Sequence, residues 1–204
     1  MTDRINIPPL FARLGLPVLA GLCIAIALLT SGCEQGCRTQ GDPEALIGGD
    51  ISLTDHQGNR VSGDALKGHY QIVFFGFTSC PDICPSALQN VSVALDMMGA
   101  HAGFFQPVFI TIDPERDTPE IVAEYMSHFH ESFIGLTGTP EEIKEAAHTY
   151  RAYYARSASG GDDKNYLMDH SAYIYVMDCQ GQYIKHFYDT MPAEEMAADL
   201  KAML

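Results

Sequence analysis

Positive charge is what this 204-residue chain has least of: 12 Lys and Arg stand against 26 Asp and Glu, a formal net charge of −14. Nucleic-acid binding replaces phosphate counterions with clustered cations, and no such cluster exists along the chain, which excludes a nucleic-acid partner. Charged residues of all kinds reach only 19%, while 47% are hydrophobic. That is too apolar for a disordered or collagen-like protein. A phosphate-binding glycine loop, a His-Glu-x-x-His helix and a Gly-x-Ser-x-Gly elbow are all missing, so nucleotide-binding and hydrolase readings have no residues to stand on. There is no internal repeat and no low-complexity tract. What remains is about one domain with some spare chain, at a soft prior of roughly 150 residues per domain.

The spare chain is N-terminal. Arg4 and Arg13 precede an uncharged run from Leu14 to Gly32. As a helix that run would span roughly 28 Å, close to a hydrocarbon core of about 30 Å. It also fits the apolar region of a signal peptide, because it ends in small residues. Leu29-Thr30-Ser31-Gly32-Cys33 resembles a lipobox, with Thr30 where Leu is usual. Residues 1–33 therefore read as a signal peptide or lipoprotein anchor, or as an uncleaved transmembrane anchor. Either leaves the basic end inside and the bulk of the chain outside the cytoplasm, in an oxidising compartment. Residues 34–48 are polar and glycine-containing and read as a tether, leaving 49–204 as the folded domain.

Within the domain, Ile51–Thr54 and Arg60–Ser62 flank a hairpin turn at His56–Asn59. Tyr70–Phe77 is an almost unbroken run of strand formers, the pattern of a strand buried on both faces. Pro85 suits the first turn of a helix whose apolar stripe is Leu88, Val91, Leu95 and Met98. Pro107–Ile112 reads as a strand, and Thr118-Pro119 opens a helix with Ile121, Val122, Tyr125 and Phe129 on one side. Thr139-Pro140-Glu141-Glu142 is a capping box opening another. Tyr173–Asp178 and Gln182–Tyr188 flank a turn at Cys179–Gly181, and Pro192–Leu204 closes the chain as a helix. Helical crossovers make the first two long strands parallel, and the late hairpin adds an antiparallel edge. This order is that of an α/β, thioredoxin-like fold: three layers, α/β/α, around a mixed sheet.

Chemistry in such sheets sits where a strand hands over to its helix, and that is where Cys80 and Cys84 fall. Of the six cysteines, Cys23, Cys33 and Cys37 lie in or near the anchor and Cys179 in a turn. At i and i+4 on a helix, Cβ atoms are roughly 5–6 Å apart. A relaxed disulfide wants nearer 3.8 Å. Two thiolates on one metal tolerate sulfurs up to roughly 4.6 Å apart, so the spacing leans toward metal without excluding a redox disulfide. A helix N-terminus favours the thiolate, as ligand or as nucleophile. Two sulfurs leave a metal open. Among eight histidines, His170 stands just before the third core strand, at the junction expected beside the dithiol.

Cys80-Pro81-Asp82-Ile83-Cys84-Pro85, Asp113-Pro114-Glu115-Arg116-Asp117-Thr118-Pro119 and Asp169-His170-Ser171 together, in that order, resemble the Sco (SenC) copper chaperones over roughly Ile47 to Leu204. The resemblance implies a thioredoxin-like fold, an inner-membrane anchor with the domain facing the periplasm, and copper as Cu(I) or Cu(II) held by Cys80, Cys84 and His170. It also implies a partner, the copper-site subunit of cytochrome c oxidase. Thiolates suit Cu(I) and imidazole tolerates Cu(II), so the set is chemically consistent with both. Asp82 reads as a turn residue, and Asp113–Pro119 as an Arg116–carboxylate contact plus a helix cap. One departure is Cys179, where family members often carry Pro; exposed, it would be an unpaired thiol. The competing reading is a thiol–disulfide oxidoreductase using Cys80 and Cys84, although thioredoxins place two residues between their cysteines, not three. Structural zinc would want a fourth protein ligand.

Overall fold

The computed structural model describes residues 37–158 and 166–204. Its core is a strand that can go nowhere but the middle. All seven residues of Tyr70–Gly76 are buried, and full burial of each large apolar side chain stabilises by about 1.5–3 kcal/mol. In chain order the elements are β1 (Ser52–Asp55), β2 (Arg60–Ser62), β3 (Tyr70–Gly76), α1 (Ile83–Met98), β4 (Phe105–Thr111), α2 (Pro119–Met126), β5 (Ile134–Thr137), α3 (Pro140–Thr149), β6 (Tyr154–Arg156), β7 (Met168–His170), β8 (Tyr173–Met177), β9 (Tyr183–Tyr188) and α4 (Ala193–Lys201). The seven-stranded sheet has the order β2-β1-β5-β4-β3-β8-β9. β3, β4 and β5 are parallel; β8 runs antiparallel to β3, and β1 antiparallel to β5.

Alternation along β3 assigns the layers. Gly76 faces Cys84 of α1 and the ring of Phe109, and Phe109 in turn packs at a tilt against Tyr125 of α2, centroids 5.6 Å apart. Phe75, on the opposite face, packs on Tyr150 at the end of α3, centroids 5.4 Å apart. α4 packs on α1. The expected three-layer mixed sheet is therefore present. The expected capping box is also complete: Glu142 N–H donates to Thr139 Oγ1 at 3.2 Å, and Thr139 N–H to Glu142 Oε2 at 2.8 Å.

Three features differ from the sequence reading. β5 is an unanticipated strand, short and interrupted by Gly135. The glycine is needed there because a β-carbon would come within 2.4 Å of Val122 and 2.8 Å of Met126. β6 and β7 form a separate two-stranded ribbon outside the main sheet, too short to show a periodicity. Finally, Cys179 is not a free thiol: it is disulfide-bonded to Cys37. Around that bond, part of the stretch read as a tether lies on the domain. Arg38 N–H donates to the Tyr70 hydroxyl at 3.1 Å, and Gln40 and Gly41 N–H donate to Asp178 Oδ2 at 2.9 and 2.8 Å. The anchor expected over residues 1–33 lies outside the described residues. Among those described, no helix is long and apolar enough to cross a membrane.

Candidate metal centre

β3 ends at Gly76, and the chain must turn sharply to start α1. Phe77–Asp82 makes that turn over a buried carboxylate. Asp117 accepts from Thr78 N–H at 3.0 Å, from the Thr78 hydroxyl at 2.6 Å and from the Thr111 hydroxyl at 2.5 Å. Burial pushes the Asp117 carboxyl above its ordinary value, with these hydrogen bonds opposing. Asp117 thus ties the loop after β3 to the end of β4. This role was not visible in sequence, where Asp117 stands only as one member of the Asp113–Pro119 motif.

The turn delivers Cys80 half-buried and Cys84 fully buried, at the head of α1, both as free thiols. Cys84 N–H points at Cys80 Sγ, 3.4 Å away. The Cys80 thiol is pulled down to about 4, chiefly because its sulfur accepts from the Cys84 thiol, with burial opposing the shift. Cys84 is pushed far up, since it holds the shared proton and burial disfavours its charge. At neutral pH the pair is one thiolate and one thiol, with the charge on the accessible sulfur.

His170 ends β7, and its Nε2 lies 3.5 Å from Cys84 Sγ although 86 positions separate the two. Its Nδ1 is 3.0 Å from the Ser171 carbonyl oxygen. A carbonyl only accepts, so the proton belongs on Nδ1 and the lone pair of Nε2 faces the sulfurs. Phe74 and Phe77 hold the imidazole edge-on, with centroids at 6.0 and 6.1 Å. The two sulfurs and one nitrogen lie within 4.8 Å of one another. Ligands about 2.0–2.3 Å from a common ion are at most roughly 4.6 Å apart, so the set closes on a metal with small movements.

The other residues singled out from sequence sit elsewhere. Asp82 is exposed at the cap of α1 and makes no capping hydrogen bond. Asp113 and Arg116 are paired, as expected. His56 Nδ1 accepts from Gly135 N–H at 3.0 Å, His130 Nδ1 contacts Ser132 Oγ, and His186 Nδ1 contacts the Tyr183 hydroxyl. Sequence reasoning missed the aromatic walls Phe74 and Phe77, and Gly76, whose absent side chain leaves room for Cys84 Sγ.

A profile of the SCO1/SenC family matches residues 39–204. The chain belongs to the SCO1/SenC family. An SCO2-like protein of Rickettsia conorii is 47% identical over 151 residues, 74% of each chain. Bradyrhizobium japonicum ScoI, solved with copper bound, superposes with a TM-score of 0.70 at 43% identity, covering 78% of this chain and 99% of that one. Arabidopsis thaliana ScoI, also solved with copper bound, gives 0.72 at 40% identity over 77% and 97%. The SCO1/SenC match takes in Cys80, Cys84 and His170 and every strand of the sheet. It leaves Cys37, one half of the disulfide, outside its limits.

Proposed function

We propose that this protein is a membrane-anchored copper metallochaperone that takes one copper ion on Cys80, Cys84 and His170 and helps assemble the copper site of cytochrome c oxidase. The convergence of two sulfurs and one imidazole nitrogen within 4.8 Å carries the reading. Two relatives with similar folds hold copper, and the donor set suits that ion: soft thiolates for Cu(I), imidazole for either oxidation state. Three ligands leave a position where a recipient's ligand can attack. Cys80, the accessible thiolate, is where cargo arrives and where a recipient thiolate first competes. Cys84 must give up its proton to ligate, and its burial makes it the last sulfur to let go. Residues 1–33 supply the anchor, and the domain faces the periplasm from the inner membrane. The Cys37–Cys179 bond supports an oxidising compartment.

Anaerobic Cu(I) titration of the reduced full chain tests the reading: one ion bound, with Cys80→Ser, Cys84→Ser and His170→Ala each weakening affinity more than about tenfold, or 1.4 kcal/mol. Full affinity in His170→Ala would remove the imidazole from the scheme. A second reading is favoured by one observation: an accessible thiolate beside a buried thiol is also the arrangement of a thiol–disulfide oxidoreductase. Fast metal-free disulfide turnover, indifferent to His170→Ala, would select it.

A further inference from the structure

The cysteines and the histidine are carried by separate pieces of structure. Cys80 and Cys84 are fixed to the main sheet through β3 and α1. His170 belongs to the β6–β7 ribbon, whose strands pair only with each other: Tyr154 opposite His170, Ala155 opposite Asp169, Arg156 opposite Met168. Three residues after His170 the chain enters β8, which pairs with β3, so the seven-stranded sheet holds the C-terminal side of the histidine. The N-terminal side, from Tyr166 into β7, has no such pairing, and there side chains must set the distance from imidazole to sulfur.

We propose that Arg116, clamped on Tyr166, is the positioning residue that seats His170 against the sulfurs. Arg116 lies in the loop between β4 and α2, so it is anchored on the main sheet. Its Nη1 donates to the Tyr166 carbonyl at 3.0 Å, four residues before His170 and two before the strand that carries it. Its Nε donates to Asp113, whose second oxygen accepts from the Tyr166 hydroxyl at 2.6 Å. Main chain and side chain of Tyr166 are thereby both fixed to one loop. The guanidinium carbon sits 3.7 Å from the centroid of the Tyr166 ring, and that of Arg156 sits 3.9 Å from the same ring. Arg156 is on β6, so one aromatic ring just ahead of β7 is held both by the main-sheet loop and by the other strand of the ribbon. Arg116 also approaches Phe77 at 5.9 Å, and Phe77 is a wall of the imidazole site. Tyr166 is 6% exposed and Asp113 3%. In so dry a setting the planar fork of an arginine holds two acceptors at fixed angles, which a flexible ammonium does not.

The proposal rests on the copper reading for its biological meaning, but its test has an arm that needs no copper. In the full chain in detergent micelles, without metal, the His170 ring protons lie in the ring-current field of Phe74 and Phe77. Arg116→Met should move these resonances toward those of an exposed histidine while the amide shifts of Ile174–Val176 stay in place. In the Cu(II) form, Arg116→Met should lose the nitrogen hyperfine coupling from His170. In the Cu(I) form it should lower affinity about tenfold, the low end for residues that orient a metal ligand. The double variant Arg116→Met/His170→Ala should bind no more weakly than His170→Ala alone, because the arginine acts only through the histidine.

Tyr166→Phe keeps the ring and removes the bond to Asp113. It should shift every readout in the same direction by less, and it carries the test should Arg116→Met fail to fold. Unchanged His170 resonances, or equal losses of affinity with and without His170, would overturn the assignment. Absence of copper binding by the unsubstituted chain would instead retire the copper reading, and the imidazole shifts would then decide the positioning alone.

Discussion

A thiolate and a thiol share one proton at the head of α1, and this sets how the site responds to pH. Cys80 is already charged at neutral pH, with its thiol drawn down to about 4, whereas Cys84 keeps its proton until a metal displaces it. Metal binding at pH 7.5 should therefore release close to one proton from the pair. Two ordinary thiols, with values near 8.5, would release nearly two. Affinity should fall as pH drops, and more steeply below about 4, where Cys80 takes up a proton as well. Paired titrations in two buffers of different ionisation enthalpy count the protons; a value near two would refute the sharing. Gly76 makes a second prediction at this scale. A β-carbon there would lie 2.9 Å from Cys84 Sγ and 2.9 Å from the Phe74 ring, so Gly76→Ala must displace one of them. Overpacking of this kind costs about 1–3 kcal/mol. The expected outcome is weaker copper binding together with a lower Tm, read by competition titration and thermal melting.

Between elements, the decisive group is Asp117. It is fully buried and receives three hydrogen bonds, two from the Cys80 loop and one from the end of β4. Asp117→Ala strands the buried Thr111 hydroxyl, at about 1–3 kcal/mol, and two part-buried Thr78 donors that water can partly satisfy. The domain should lose roughly 2 kcal/mol or more by urea denaturation. Where the fold survives, Cys84 should become reactive to alkylating reagents as the loop opens. The elements themselves were largely legible. β3 announced itself by an uninterrupted run of strand formers, and α3 by Thr139 and Glu142 capping one another. α1 was expected from the stripe Leu88, Val91 and Leu95, all of which are buried. β5 escaped because its glycine answers to helix α2 packed above it, and such a demand leaves no mark in the local pattern. The β6–β7 ribbon escaped because three-residue strands are too short to carry a period.

Across the whole molecule the two cysteine pairs occupy opposite ends of the sheet. β3 starts beside the Cys37–Cys179 bond and finishes beneath Cys80; its seven residues span roughly 20 Å at about 3.3 Å each. The two pairs cannot exchange within one molecule. The bond closes a separation of 142 positions, for which chain entropy gives about 3–5 kcal/mol. Cys37→Ser/Cys179→Ser should thus lower Tm by about 6–20 °C and expose the stretch from Cys37 to Gly49 to proteolysis. Copper affinity should be unchanged. A variant that melts as before but binds copper poorly would contradict this division of labour.

The sequence by itself determined the fold class, the parallel and antiparallel directions of the long strands, the caps, and the placement of Cys80 and Cys84 at a strand-to-helix junction. Each of these follows from interactions between residues close in the chain, where periodicity, turn chemistry and spacing are the physical cause. Tertiary structure alone decided which thiol keeps the proton, since that depends on the burial of Cys84 against the access of Cys80. It also decided that Nε2 of His170 faces the sulfurs and that Cys37 finds Cys179. Those partners are 86 and 142 positions apart, and no local preference reaches so far. Their meeting depends on how strands from distant parts of the chain are laid side by side.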